Sequence, residues 1–346
     1  MSALVRGTLL ALLSALAFGA SAPLVRRFGV DAGPWATAAL LYAGAASVGL
    51  VTSRSGAREA APRRPELARI GLAALLGAAL GPALFAWGLQ RTTAIGASLA
   101  LNVESAATVV LAAAFLHEHI GRRVWIAVSL TTIGAALVAF RGGTHLDPSS
   151  IGTLAVVAAT ILWAADSTIT GSLAWLDPGR VTFWKCAGGA LLSLAVALLG
   201  HDAFPSWQHA ALLALTGAIA YGASLRLYLG AQRAFGAART ASIFALAPFA
   251  GAAVALALGD RDAGAPLIAG AALMVVAVYL HASERHAHLH EHVAVTHEHA
   301  HSHDDSHHTH AHEPAVEHAH SHPHAHDPLV HEHSHGPDFH HSHPHG

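Results

Sequence analysis

Charge is scarce in this chain. Asp, Glu, Lys and Arg make up 12% of its 346 residues, and before His286 only 12 acids accompany the 19 Lys and Arg side chains. Long stretches therefore carry no charge at all, which excludes an ordinary soluble domain. Cysteine is nearly absent too. Cys186 stands alone inside an apolar segment, so there is no internal disulfide and no argument for either redox compartment. A nucleotide-binding loop, a catalytic triad and a nucleophile motif are also missing, so neither an enzyme nor an ATP-driven pump is expected.

What the chain has in abundance is apolar length. Hydrophobic runs recur, each near the roughly 20 residues a helix needs to cross a bilayer. They are too long, and too rich in Ala, Leu and Gly, for barrel strands, so helices are implied. The pattern places ten spans: Gly7–Val25, Pro34–Thr52, Ala68–Leu89, Ala94–Leu116, Val124–Phe140, Ile151–Gly171, Gly179–Leu199, Gln208–Ala231, Ala238–Leu258 and Gly264–His281. Basic residues resist translocation. With the N-terminus inside, twelve arginines, including Arg54, Arg58, Arg63 and Arg64 of the longest loop, fall on the cytoplasmic side. Five fall outside: Arg26, Arg27, Arg91, Arg141 and Arg261. Both termini are thus expected in the cytoplasm. A competing reading takes Leu9–Leu16 and the small residues Ala20-Ser21-Ala22 as a signal peptide, which would leave nine helices.

The halves echo one another. Gly7-Thr8-Leu9 with Ala17-Phe18-Gly19 lies over Gly152-Thr153-Leu154 with Leu162-Trp163-Ala164, and Ala97-Ser98 lies over Ala241-Ser242. A repeat of five helices places its second copy upside down, the arrangement of many secondary transporters. The expected fold is an all-α integral membrane protein with ten transmembrane helices in two inverted five-helix repeats (1–141 and 151–282), followed by a disordered tail (286–346).

Ten spans in two halves, with acidic boxes Phe115-Leu116-His117-Glu118 and Ala257-Leu258-Gly259-Asp260 closing the fourth and ninth helices, resemble the EamA branch of the drug/metabolite transporter superfamily. The resemblance runs over about residues 5 to 282. It includes Leu162-Trp163-Ala164 and Ala245-Leu246-Ala247-Pro248, where the family usually has a Pro. In the first half Leu101-Asn102-Val103-Glu104 departs from that pattern by putting a carboxylate near the expected Pro. The resemblance implies the fold and transport more firmly than the cargo.

Four charged side chains fall inside spans: Glu104 at the middle of the fourth helix, Asp166 in the sixth, Lys185 in the seventh and Arg226 in the eighth. An acid at the centre of a span costs roughly 2.5 kcal/mol or more, so Glu104 is a functional candidate by default. One reading makes the four a proton or cation coupling site, with Glu104 exchanging its proton as the halves rock. The other makes Asp166 and Lys185 a structural ion pair and lets Arg226 snorkel to the headgroups. Asn102 is expected to bond a neighbouring helix, and Glu118 and Asp260 to face water or cap the next helix. Gly77 and Gly81 are spaced for close helix contact, and Pro82 and Pro248 can kink their helices.

After Arg285 the chain has no Lys or Arg, and its last 61 residues hold 24 histidines and nine acids. Such a composition builds no core. Histidines at alternate positions let a flexible chain wrap several imidazoles around one transition-metal ion, with carboxylates offsetting its charge. The candidate ligands are His297, His299, His301, His303, His307, His308, His310 and His312, then His318, His320, His322, His324 and His326, and finally His331, His333, His335, His340, His341, His343 and His345. Zn, Ni, Co and Cu all suit imidazole, and no cofactor is otherwise required.

The expected function is a secondary transporter of the cell membrane that exports a divalent metal or a metal-linked solute. The alternatives are a metabolite transporter whose tail only senses metal, and a membrane-tethered metal store. The bilayer and a small-molecule or metal-ion substrate are the expected partners, nucleic acid is not, and a homodimer is compatible with the reading.

Overall fold

The computed structural model describes residues 3–53, 64–115, 121–140, 147–171, 173, 176–235, 240, 243–262 and 264–282, and the backbone of 286–292, 295–301, 320–326 and 329–335. Among the described residues, eight helices are long and apolar enough to cross a membrane. They are Val5–Phe28, Pro34–Ser53, Arg64–Leu89, Ala94–Phe115, Arg122–Phe140, Pro148–Thr170, Gly179–Leu199 and Trp207–Tyr228. Two shorter apolar helices, Ala247–Ala257 and Ala265–Leu280, follow. The chain is a multi-pass integral membrane protein, all-helical through this region.

Side-chain placement suits lipid rather than water. Leu191, Leu198, Leu199, Ile133 and Val275 face outward, while the interior is largely alanine with a few large side chains such as Phe85, Leu41 and Leu213. Lipid tails are as apolar as leucine, so helices in a bilayer associate through close packing and small residues. The fifth and tenth spans show this: a Cβ on Gly134 or on Gly270 would press on the other's carbonyl oxygen at 2.8 and 2.7 Å.

Neighbour relations are symmetric about the midpoint of the chain. The second span packs along the seventh, the fifth along the tenth and the fourth along the ninth, while the first packs on the eighth as the sixth packs on the third. Shifting every span by five returns the same set of pairs.

The irregularities of four spans obey the same rule, while the break in the first has no counterpart in the continuous sixth. The third span turns π-helical over Ala74–Leu80 and the eighth over Ala218–Ala223. The fourth, expected as one helix, is broken: Ala94–Ala100 and Val103–Phe115 are separated by a turn at Leu101 and Asn102. The ninth is interrupted at Ala245 and Leu246, just before Pro248, which cannot donate to the preceding turn. The first span also breaks at Ala20, between Ala3–Gly19 and Ser21–Phe28.

In the tail, His286–His292 pairs antiparallel with Leu329–His335, and Val295–His301 with His320–His326. These four stretches are extended rather than irregular, and their alternating sequence suits a period of two.

Candidate functional site

The site begins with a backbone oxygen that the third span cannot satisfy. In the π-helical register the N–H of Gly81 reaches back to Leu76, so it is lost to Gly77. The next residue, Pro82, has no N–H to offer. The carbonyl of Gly77 is thereby released, and two side chains take it: the Tyr42 hydroxyl donates to it at 2.7 Å and the Trp163 indole N–H at 2.9 Å. Segments of this kind are frequent at functional sites.

Gly77 also makes room for a charge. A Cβ there would collide with the Asp166 carboxylate, so only glycine lets the sixth span bring its acid this close. Asp166 accepts from Lys185 Nζ at 2.6 Å on Oδ2 and from the Thr170 hydroxyl at 3.0 Å on Oδ1. Lys185 is the chain's one lysine. Its side chain and that of Asp166 are 15% and 7% exposed. This is the ion pair between neighbouring spans that one reading of the sequence expects.

Glu104 lies elsewhere on its helix than the sequence suggests. It stands in the first turn after the break, half-buried, rather than in the middle of a continuous helix. The backbone around it changes to shorter i−3 bonds, with Leu101 N–H reaching Ser98, Asn102 N–H reaching Leu99 and Glu104 N–H reaching Leu101. Asn102 holds the break, donating its side-chain amide to the Leu99 carbonyl at 3.0 Å and resting 3.6 Å from the Met274 sulfur of the tenth span. Among the described residues, the Glu104 carboxylate makes no hydrogen bond or ion pair, though it is within electrostatic reach of Asp166 and Lys185. Arg226, half-buried in the eighth span, makes no ion pair among the described residues. The four expected charges therefore gather as three.

Aromatic rings from several spans line the same region. Phe18 lies 5.9 Å from Tyr221, 5.4 Å from Phe244 and 6.5 Å from Trp163, and Tyr42 stacks on Tyr221 at 5.4 Å. Sequence reading did not single out Phe18, Tyr42, Tyr221 or Phe244 as site residues. An aromatic in an apolar span gives no periodic signal of its own, and only the Gly77, Gly81 and Pro82 pattern hinted that the backbone nearby would open.

At one end of the bundle the halves are tied by carboxylates. Asp202, after the seventh span, accepts from the N–H groups of Trp35 and Ala36 at the start of the second, at 2.9 and 3.1 Å. Asp260, after the ninth, does the same for Ala94 and Ile95 at the start of the fourth, at 2.9 and 3.2 Å. Asp260 thus caps a helix of the opposite half and not the next helix in sequence. Thr93 adds a bond to Asp262 at 2.8 Å. Glu118 lies outside the described residues. So do His303, His307, His308, His310, His312, His318, His340, His341, His343 and His345, together with the side chains of the other tail histidines.

Residues 5–140 match the sequence model of the EamA-like transporter family. That stretch holds Glu104 and Asn102, while Asp166 and Lys185 lie beyond it. A curated relative, named "Uncharacterized transporter", from Methanothermobacter thermautotrophicus is 28% identical over 205 residues. The match takes in 58% of this chain and 60% of the relative. The fold is similar to that of a solved structure titled "Crystal structure of protein", with a TM-score of 0.58 at 18% identity, covering 79% of this chain and 97% of the other.

Proposed function

We propose that this protein is a secondary transporter of the EamA type that carries a small organic solute across the cell membrane by alternating access, with Glu104 as the coupling carboxylate. Broken spans near the bilayer midplane are where such carriers hold substrate and coupling ion. The observation that carries the reading is Glu104 itself: an acid beside a helix break, close to a paired acid and lysine, and without a bond of its own among the described residues. A carboxylate in that position can take up and release a proton as the halves rock.

An organic cargo fits the centre better than the metal ion that the sequence first suggested. The charged groups within electrostatic reach of Glu104 are Asp166 and the Lys185 ammonium, which already hold one another, whereas a transition-metal ion calls for imidazole, thiolate or several free carboxylates. Among the described residues no group of three His, Cys, Asp or Glu is gathered there. The tail, on this reading, binds Zn, Ni, Co or Cu in the cytoplasm and adjusts transport to metal supply, with both termini inside.

Metal export remains the second reading, favoured by the 24 tail histidines. Proteoliposomes with an inward proton gradient, offered Zn, Ni, Co and a panel of metabolites, separate the two. Flux of an organic solute that survives deletion of residues 286–346 supports the first, and metal flux lost with the tail supports the second.

A further inference from the structure

Three spans leave a groove between them. Pro34 and Trp35 of the second span, Leu80, Leu84 and Trp87 of the third and Leu162 of the sixth line a cavity of about 380 Å³. All six side chains are half-buried and none is charged, so the cavity opens outward as an apolar slot. Its two ends lie at different depths. Trp35 stands at the start of the second span and Trp87 near the end of the third, the level at which indole rings settle among headgroups. Leu80 closes the π-helical segment near the middle of its span. From Leu80 to Arg91 the chain climbs eleven residues, about 16 Å of helix, against a leaflet whose hydrocarbon is about 15 Å deep. The groove therefore runs the depth of one leaflet, and what fits it in a bilayer is an acyl chain.

The headgroup end carries a fixed cation. Arg91 is exposed, with its guanidinium stacked 3.8 Å over the Trp87 ring and donating to the Trp87 carbonyl at 2.9 Å. Among the described residues it makes no ion pair, and a guanidinium has further N–H groups to offer a phosphate in bidentate fashion. Arg26 brings a second positive charge to the same corner, donating to the Leu89 carbonyl at 3.2 Å. The Asp202 carboxylate beside Trp35 is taken up by the N–H groups of Trp35 and Ala36. We infer that this groove binds an anionic phospholipid, one acyl chain lying along the third span between Trp35 and Trp87 and the phosphate resting on the Arg91 guanidinium. Such a lipid is a resident of the fold rather than its cargo. A zwitterionic lipid brings the same chain, but its ammonium meets two arginines.

Native mass spectrometry of the full chain in detergent, titrated with phosphatidylglycerol or phosphatidylethanolamine of matched acyl chains, tests the site. The first phosphatidylglycerol is expected to bind about tenfold tighter than the first phosphatidylethanolamine. Arg91→Gln brings the two within about twofold. Arg261→Gln removes an exposed arginine that does not line the groove, at the end of the bundle where Asp260 caps the fourth span, and leaves the preference intact. A second measurement reads the chain rather than the headgroup. Phosphatidylglycerol with brominated chains quenches tryptophan fluorescence, and Trp35→Phe combined with Trp87→Phe removes the saturable part of that quenching. Equal affinity for the two lipids, a preference that survives Arg91→Gln or falls equally with Arg261→Gln, or saturable quenching that outlasts the loss of both indoles overturns the proposal.

Discussion

Lys185 places its ammonium 2.6 Å from Asp166 Oδ2, and this bond joins the seventh span to the sixth beneath a glycine that leaves the carboxylate room. Neither charge is tolerable here without the other. Lys185→Met is expected to lower stability by about 3 kcal/mol, because it strands a buried carboxylate. Lys185→Met combined with Asp166→Leu should recover most of that loss. Thermal melting of the purified protein checks it, and equal melting of single and double variants would show that the pair is not coupled.

Gly77 has no tolerance for a side chain. Gly77→Ala drives a methyl group into the Asp166 carboxylate and is expected to cost about 1–3 kcal/mol as overpacking. Gly71, with nothing near its missing Cβ, is the control: Gly71→Ala should be neutral or slightly stabilising, since alanine is the better helix former.

Asp202 and Asp260 tie the two halves together at one end of the bundle. Each caps the start of a span from the other half, a bond worth about 1 kcal/mol. Asp202→Ala and Asp260→Ala should therefore favour conformations open at that end by about fivefold apiece. A cysteine at Ala97, fully buried here, reports this in a Cys186→Ala background. Its alkylation by a maleimide should quicken in both variants, and unchanged rates would mean that the caps do not gate the path.

Metal binding by the tail, as proposed, should depend on pH in one direction. Imidazole binds metal only when neutral, so affinity is retained above its pKa of about 6.5 and lost below it. Between about pH 7.5 and 5.5 each imidazole loses nearly tenfold in neutral fraction, so a two-histidine site should weaken about a hundredfold. Calorimetry with Zn and Ni on the intact protein, against a chain lacking residues 286–346, measures it.

The architecture was legible in the sequence because it rests on hydropathy, which a bilayer reads directly. Hydropathy alone places ten apolar stretches, and the pairing of Asp166 with Lys185 is one of the two readings that their positions on adjacent spans leave open. Less legible was the backbone. The turn at Leu101 and Asn102 has no proline to announce it, so Glu104 read as the centre of an unbroken helix. The π segments at Ala74–Leu80 and Ala218–Ala223 shift a few backbone hydrogen bonds by one residue, which composition does not record. Asp202 went unremarked because its partners, Trp35 and Ala36, are some 170 residues away, as are those of Asp260. Caps that cross between the halves belong to tertiary structure alone.

Glu104→Gln tests the central claim most directly. In proteoliposomes carrying an inward proton gradient, the solute that the intact protein accumulates should cease to accumulate in this variant. Gradient-independent exchange of that solute across the membrane should persist, because glutamine can bond a substrate but cannot release a proton. Accumulation that continues unabated with glutamine at position 104 would contradict the account.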